Sequence, residues 1–186
     1  SCQPDGRTMV NNIGVRLLDG LFPHHCALCD LRSHRDVPLC LACQSEMPIN
    51  HFCCARCAIP LPASPDPAAT RLCGACLPQP PTFDRVIAPW LYGEYFAHLI
   101  HQWKFHRERR LTKLLAALWQ QQAKIHTPVD LLVPVPLHWR RRWQRGFNQS
   151  ELLCRQLLRT CPELKFCEPA YGLVRRQRAT AAQTAM

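Results

Sequence analysis

Four Cys-x-x-Cys pairs follow one another along the first half of the chain: Cys26/Cys29, Cys40/Cys43, Cys54/Cys57 and Cys73/Cys76. Ten residues separate the first two pairs and fifteen separate the last two. A tight turn across two intervening residues aims both sulfurs of a pair at one ion, at about 2.3 Å from each, and two such pairs complete a tetrahedron. Soft thiolates select zinc, with an iron–sulfur cluster as the other metal such a set holds. The non-metal readings are buried free thiols or disulfides. Disulfides are disfavoured because the chain shows no export signal, which implies a reducing, cytoplasmic setting.

Two zinc ions are expected, both structural, since no acid/base partner accompanies an open coordination position. They stand in for the hydrophobic core that a segment of this length does not build unaided. Sequential pairing, first pair with second and third with fourth, closes the shorter loops; an interleaved arrangement would join the first with the third. Cys53 is a spare thiol that could replace Cys54 in a wider knuckle. His24, His25 and His51 lie close enough in sequence to be alternative ligands or exposed loop residues. Of the thirteen cysteines, Cys154, Cys161 and Cys167 share no spacing and are read as structural.

The formal net charge of +10 belongs entirely to the second half. Residues 1–80 balance their acids and bases, and residues 81–186 carry the excess. A phosphate-bearing partner is expected there, either a nucleic acid or a small phosphorylated substrate. No apolar run approaches the length of a membrane span, so membrane insertion is not expected. Ser1–Thr8 reads as a tag remnant or an upstream extension before a natural start at Met9.

Three regions are expected: an extension with a short helix at 1–20, a double zinc ribbon at 21–80, and a further domain at 81–186. Proline-rich stretches at 60–69 and 78–82 mark a loop and a stiff boundary. Arg85–Tyr92 is β-prone. Phe96, Leu99, Ile100 and Trp103 recur with helical spacing, as do Leu111, Leu114, Leu115, Leu118 and Trp119. Asp130–Pro136 reads as a short buried strand stopped by prolines. An arginine-rich loop follows to Gly146. Asn148 and Glu151 then announce a helix in the manner of a capping box, with Leu152, Leu153, Leu157 and Leu158 as its apolar stripe. Pro162 ends it, and Leu164–Cys167 reads as another strand.

Strand, arginine-rich loop, glycine and helix start form an order suited to anions. Arg140, Arg141, Arg142 and Arg145 supply bidentate donors for phosphate oxygens, and Gly146 permits close backbone approach. A solvated basic loop is the equal alternative. Trp139 and Trp143 flank the arginines and are candidates for exposure, where aromatic and basic groups together stack single-stranded bases. For Trp103, on a helix stripe, core packing is favoured.

The chain resembles the ComF family, in particular its GntX-like members. The likeness rests on the knuckles after Leu21-Phe-Pro23, on Trp103-Lys-Phe105, on Val133-Pro-Val-Pro136, on Arg141-Arg-Trp-Gln-Arg-Gly-Phe-Asn-Gln-Ser150, and on Arg175–Gln183 with Thr180. The resemblance implies a small, irregular and partly β zinc-ribbon module followed by a partial α/β phosphoribosyltransferase-like domain. It implies that the loop after a Val133–Val135 strand, running to Gly146, is a pyrophosphate-binding loop and that Arg175–Gln183 is a flexible closing loop. Lys104, Arg141, Arg145, Gly146, Asn148, Gln149, Arg175 and Arg178 are then the expected substrate-binding residues.

The family is tied to natural transformation and the use of external DNA. Single-stranded DNA or phosphoribosyl pyrophosphate is the implied ligand, and a competence helicase the implied partner. The sequence departs from the family in having no Asp-Asp pair followed by Thr-Thr-Gly, the cradle for the 5-phosphate and ribose hydroxyls. The chain is therefore expected to be a fragment or truncated product, inactive as a transferase by itself, with magnesium relevant only to a full-length form.

Overall fold

The computed structural model describes residues 24–64, 66, 71–105 and 108–178. The expected helix within 1–20 and the end of the Arg175–Gln183 loop lie outside them. Contacts divide the chain into two compact units, one ending at Glu46 and the other beginning at Met47.

In the first unit the chain turns tightly at Ala27–Cys29 and enters a short helix, α1 (Leu41–Ser45). The Cys40 sulfur caps α1 by accepting from the Cys43 N–H at 3.4 Å. Arg35 braces the turn, donating to the Leu39 carbonyl at 3.3 Å and the Gln44 side chain at 2.6 Å.

The second unit opens with the other pair of knuckles and continues into helices. These are α2 (Glu94–Phe105) and α3 (Leu111–Gln122), then β1 (Leu131–Leu132), α4 (Trp139–Arg145), α5 (Gln149–Thr160), a 3-10 turn (Pro162–Leu164) and β2 (Glu168–Pro169). The spacing of leucines on α2 and α3 explains their burial: Leu99 and Trp103 of α2, and Leu111, Leu114, Leu115 and Leu118 of α3, are all buried. Helices α3 and α5 pack together through Ala116 and Leu157, joined by Cys161, Leu164 and Cys167 beyond the end of α5. Each buried indole finds an acceptor, as buried Trp N–H groups require. Trp90 donates to the Leu118 carbonyl at 2.9 Å and Trp103 to the Thr112 hydroxyl at 3.0 Å. Cys154 is buried too, in keeping with a structural role for all three downstream cysteines.

Strands β1 and β2 pair in parallel, Leu131 with Glu168 and Leu132 with Pro169. The Glu168 N–H donates to the Asp130 carbonyl and the Ala170 N–H to that of Leu132. Helices α4 and α5 lie between them in sequence, so the unit is a helical region with little sheet. The expected strand at Asp130–Pro136 shrinks to two residues, because Pro134 and Pro136 have no N–H to give a ladder. That at Leu164–Cys167 moves to Glu168–Pro169. Arg85–Tyr92 forms no strand: around Pro89 it makes one antiparallel bridge, Ile49 to Trp90. The expected loop between Leu137 and Gly146 is helix α4.

Candidate functional site

The cysteine knuckles are built twice on one plan. In the first, the Cys26 N–H donates to the Leu31 carbonyl and the Asp30 N–H to the Cys26 carbonyl; in the second, Cys54 bonds to Ile59 and Ala58 to Cys54 in the same places. The residue that closes each turn is left-handed, Asp30 at φ 59° and Ala58 at φ 58°. The residue after each leading cysteine donates to the carbonyl two residues before the third cysteine of its set, Ala27 to Pro38 and Ala55 to Arg71, both at 2.9 Å. This repeat brings the two distant pairs of each set together.

Two sulfur clusters result, Cys26/Cys29/Cys40/Cys43 and Cys54/Cys57/Cys73/Cys76, each with its sulfurs within 4.8 Å of one another. The pairing is sequential. Cys29 and Cys40 sulfurs stand 3.8 Å apart, and those of Cys57 and Cys73 3.7 Å. A disulfide is about 2.05 Å, whereas a tetrahedron with bonds of about 2.3 Å has edges of about 3.8 Å. The spacing is that of ligands around an ion. Neither Cys53 nor His24, His25 or His51 belongs to a cluster among the described residues.

The electrostatics of the sulfurs point the same way. At Cys54, N–H donors from Cys57, Cys73 and Arg56 outweigh burial and bring the thiol down to about 6. At Cys26, burial raises the thiol, but N–H donors from Cys40, Cys29 and Leu28 together outweigh it, again to about 6. Cys76 is pushed up to about 12 by burial and then by Cys73, Cys57 and Cys54, and Cys43 is raised by burial and its neighbouring sulfurs. Each cage thus favours its first thiolate and resists the last, a conflict that a bound dication removes. The donor set and geometry fit two structural zinc ions, each held by four cysteine sulfurs.

The residues expected to bind phosphate fall into two groups. In one, the Arg145 guanidinium donates to the Gln149 side-chain oxygen at 3.4 Å and sits 5.0 Å over the Phe105 ring. Lys104 is held below the usual lysine value by burial and then by the Arg145 charge; Arg145 is itself lowered by burial and then by Arg141. Gln149 is buried, and its Nε2 has no hydrogen-bond partner among the described residues. Gly146 ends α4 in the left-handed region at φ 77°, which is its role here.

The other group lines an open cleft of about 520 Å³ that includes Arg142, Asn148, Glu151, Arg155, Arg175 and Arg176. Arg178 lines a neighbouring hollow with Arg175 and Pro136. Asn148 has a local task as well: its Oδ1 accepts from the Ser150 N–H, and its Nδ2 donates to the Val135 carbonyl and to Glu151. Sequence reading missed Arg155 and Tyr171, whose guanidinium and ring stack at 5.1 Å. Arg155 stands four residues after Glu151, a helical spacing that offered a signal.

A double zinc ribbon domain is matched over residues 17–77. The DNA utilization protein YhgH of Escherichia coli K12 is 34% identical over 152 residues, 78% of this chain and 63% of that protein. The protein of the same name from Salmonella typhi is 34% identical over 172 residues, 87% of this chain and 70% of its own length. Competence protein F of Haemophilus influenzae is 32% identical over 127 residues, 65% of this chain and 53% of that protein. The chain thus spans under two thirds of the Escherichia coli relative. No solved structure matches it. With its tetrathiolate pairs in register and this identity across both halves, the chain belongs to the ComF family of competence and DNA utilization proteins.

Proposed function

We propose that this chain serves in the use of DNA acquired from outside the cell, through a phosphoribosyltransferase-like domain at 81–186 that binds a phosphate-rich ligand, with the double ribbon at 21–80 as its zinc-held companion. The names of the relatives support the biological role. The observation that carries the chemistry is the cleft lined by Arg142, Arg155, Arg175 and Arg176, with Glu151 as the one acidic residue in its lining. Planar guanidinium groups suit phosphate oxygens in pairs. Phosphoribosyl pyrophosphate, with magnesium in a full-length form, is the small-molecule candidate, and a cytoplasmic DNA-translocating helicase is the partner that the family suggests. A second reading, a nucleic-acid-binding module without enzymatic activity, is favoured by the exposure of Trp139 and Trp143 beside the arginines.

Calorimetric titration separates these readings. A single diphosphate bound in the cleft gives affinity that responds to magnesium and weakens mildly with salt. A DNA strand gives affinity that falls steeply between 50 and 200 mM salt, by about 10³-fold or more where at least six phosphates are held. Loss of phosphoribosyl pyrophosphate binding in Arg175→Gln and Arg155→Gln is the expected result for the first reading. Unchanged binding in both variants would remove the cleft from it.

A further inference from the structure

Helix α4 is an unusual element. Its seven residues, Trp-Arg-Arg-Arg-Trp-Gln-Arg, contain no acid, and none of them is buried. A helix this short is marginal without packing, and adjacent arginines repel one another. Yet it is held at both ends: the His138 ring nitrogen accepts from the Arg140 N–H at 3.4 Å, and Gly146 closes the other end. Trp139 is 67% exposed and Trp143 86% exposed. Large aromatic side chains are seldom left this open. The two stand at i and i+4, the spacing that puts side chains on one helix face. A shallow hollow is lined by Trp139, Arg142, Trp143 and Gly146.

We infer that this face of α4 is a stacking platform for the unpaired bases of single-stranded DNA, with the α4 arginines holding the strand's backbone. The inference rests on the DNA-handling reading above and names the surface that would carry it. Three observations converge on this occupant. The two rings offer apolar faces of the size of a base. They stand four residues apart, about 6 Å along the helix axis, and so share one face of α4 over which a single strand can pass. Helix α4 itself carries four arginines and no acid, and Arg142 pairs with Glu151 of the next helix at 3.3 Å. Arg140 already lies 5.3 Å over the Trp139 ring, which extends the stacking surface by a cation. A protein partner with an apolar anchor would not call for this charge, and duplex DNA keeps its base faces covered.

The test is titration of the zinc-loaded chain with a twelve-residue oligothymidylate, followed by tryptophan emission and by fluorescence anisotropy of a labelled strand. Binding should quench emission, and a DNA duplex of equal length should bind more weakly. Trp143→Ala and Trp139→Ala should each weaken the single strand about tenfold, within the range seen for base–aromatic stacking. Trp143→Phe should retain most of the affinity because a ring remains. Phe166→Ala serves as the control, since Phe166 is 90% exposed beside Lys165 but lies outside α4; it should change nothing. If the strand binds the parent chain but neither tryptophan variant weakens it, or Phe166→Ala weakens it as much, the platform is refuted while DNA binding stands. If the parent chain ignores the strand yet binds phosphoribosyl pyrophosphate, both the platform and the nucleic-acid reading fall, and the small-ligand reading survives. Zinc content and circular dichroism of each variant confirm that a loss is not unfolding.

Discussion

Cys53 and Cys54 are neighbours in sequence, yet only Cys54 joins a sulfur cluster. The backbone decides this: Cys53 bridges to Pro60, while the Cys54 sulfur turns inward and accepts from the Cys73 N–H at 3.3 Å. Cys54→Ser should therefore lower bound zinc from two ions to one, and Cys53→Ser should leave two, as counted by elemental analysis of purified protein. Protons compete with zinc for sulfur, so acidification should release the metal, and a chromogenic chelator would register it. For Cys54 the sign is clear: its thiol lies below the usual 9.0, so its thiolate stabilises the fold above that value and is lost as pH falls through about 6. Gly146 gives a different kind of residue-scale prediction. Among the described residues, no atom beyond its own chain neighbours and helix backbone lies within 4 Å of where its Cβ would stand, so Gly146→Ala meets no clash there but pays the left-handed backbone penalty at φ 77°. A loss of about 1 kcal/mol in urea unfolding is expected, and less for Gly146→Asn.

Among the elements, α2, α3 and α5 were readable because their apolar residues recur at the helical period and a packing partner then buries them. Leu157 sits where α5 meets α3, and Leu157→Ala should destabilise by about 2–5 kcal/mol in the same unfolding experiment. The Asn148 cap was readable as well, though Glu151 accepts from the Asn148 side chain at 3.3 Å rather than reaching back to its backbone. Asn148→Ala removes the cap and the bond to Val135 together, and about 1–2 kcal/mol should be lost. Helix α4 was not readable. It has no apolar stripe to reveal a period, and its N-cap is His138, a residue outside the usual capping set. Arg85–Tyr92 failed in the opposite way. Its composition favours a strand, but Pro89 offers no N–H, and among the described residues it makes only the bridge at Trp90.

For the molecule as a whole, the zinc centres lie on either side of the boundary after Glu46, one in each compact unit. A serine at Cys40 should therefore empty the first centre and leave the second filled, giving one zinc per chain. Full chelation should abolish the fold of both ribbons, while helix signal from α3 and α5 persists, because their contact is made of leucine, alanine and buried cysteines rather than metal. Far-ultraviolet circular dichroism before and after chelation would check this; complete loss of helix would mean that the helical core depends on zinc.

Ligand identity, the repeat of the knuckles and the positions of three helices were determined by the sequence alone, because each depends on residues a few positions apart. A thiol pair closes on one ion through a local turn, and an amphipathic stripe needs only its own period. What only the tertiary structure decided is whatever joins distant segments. The parallel pairing of Leu131 with Glu168, the arginine cleft that unites Arg142 with Arg175, and the open standing of Trp139 and Trp143 depend on which surfaces other elements cover, and no local pattern carries that information.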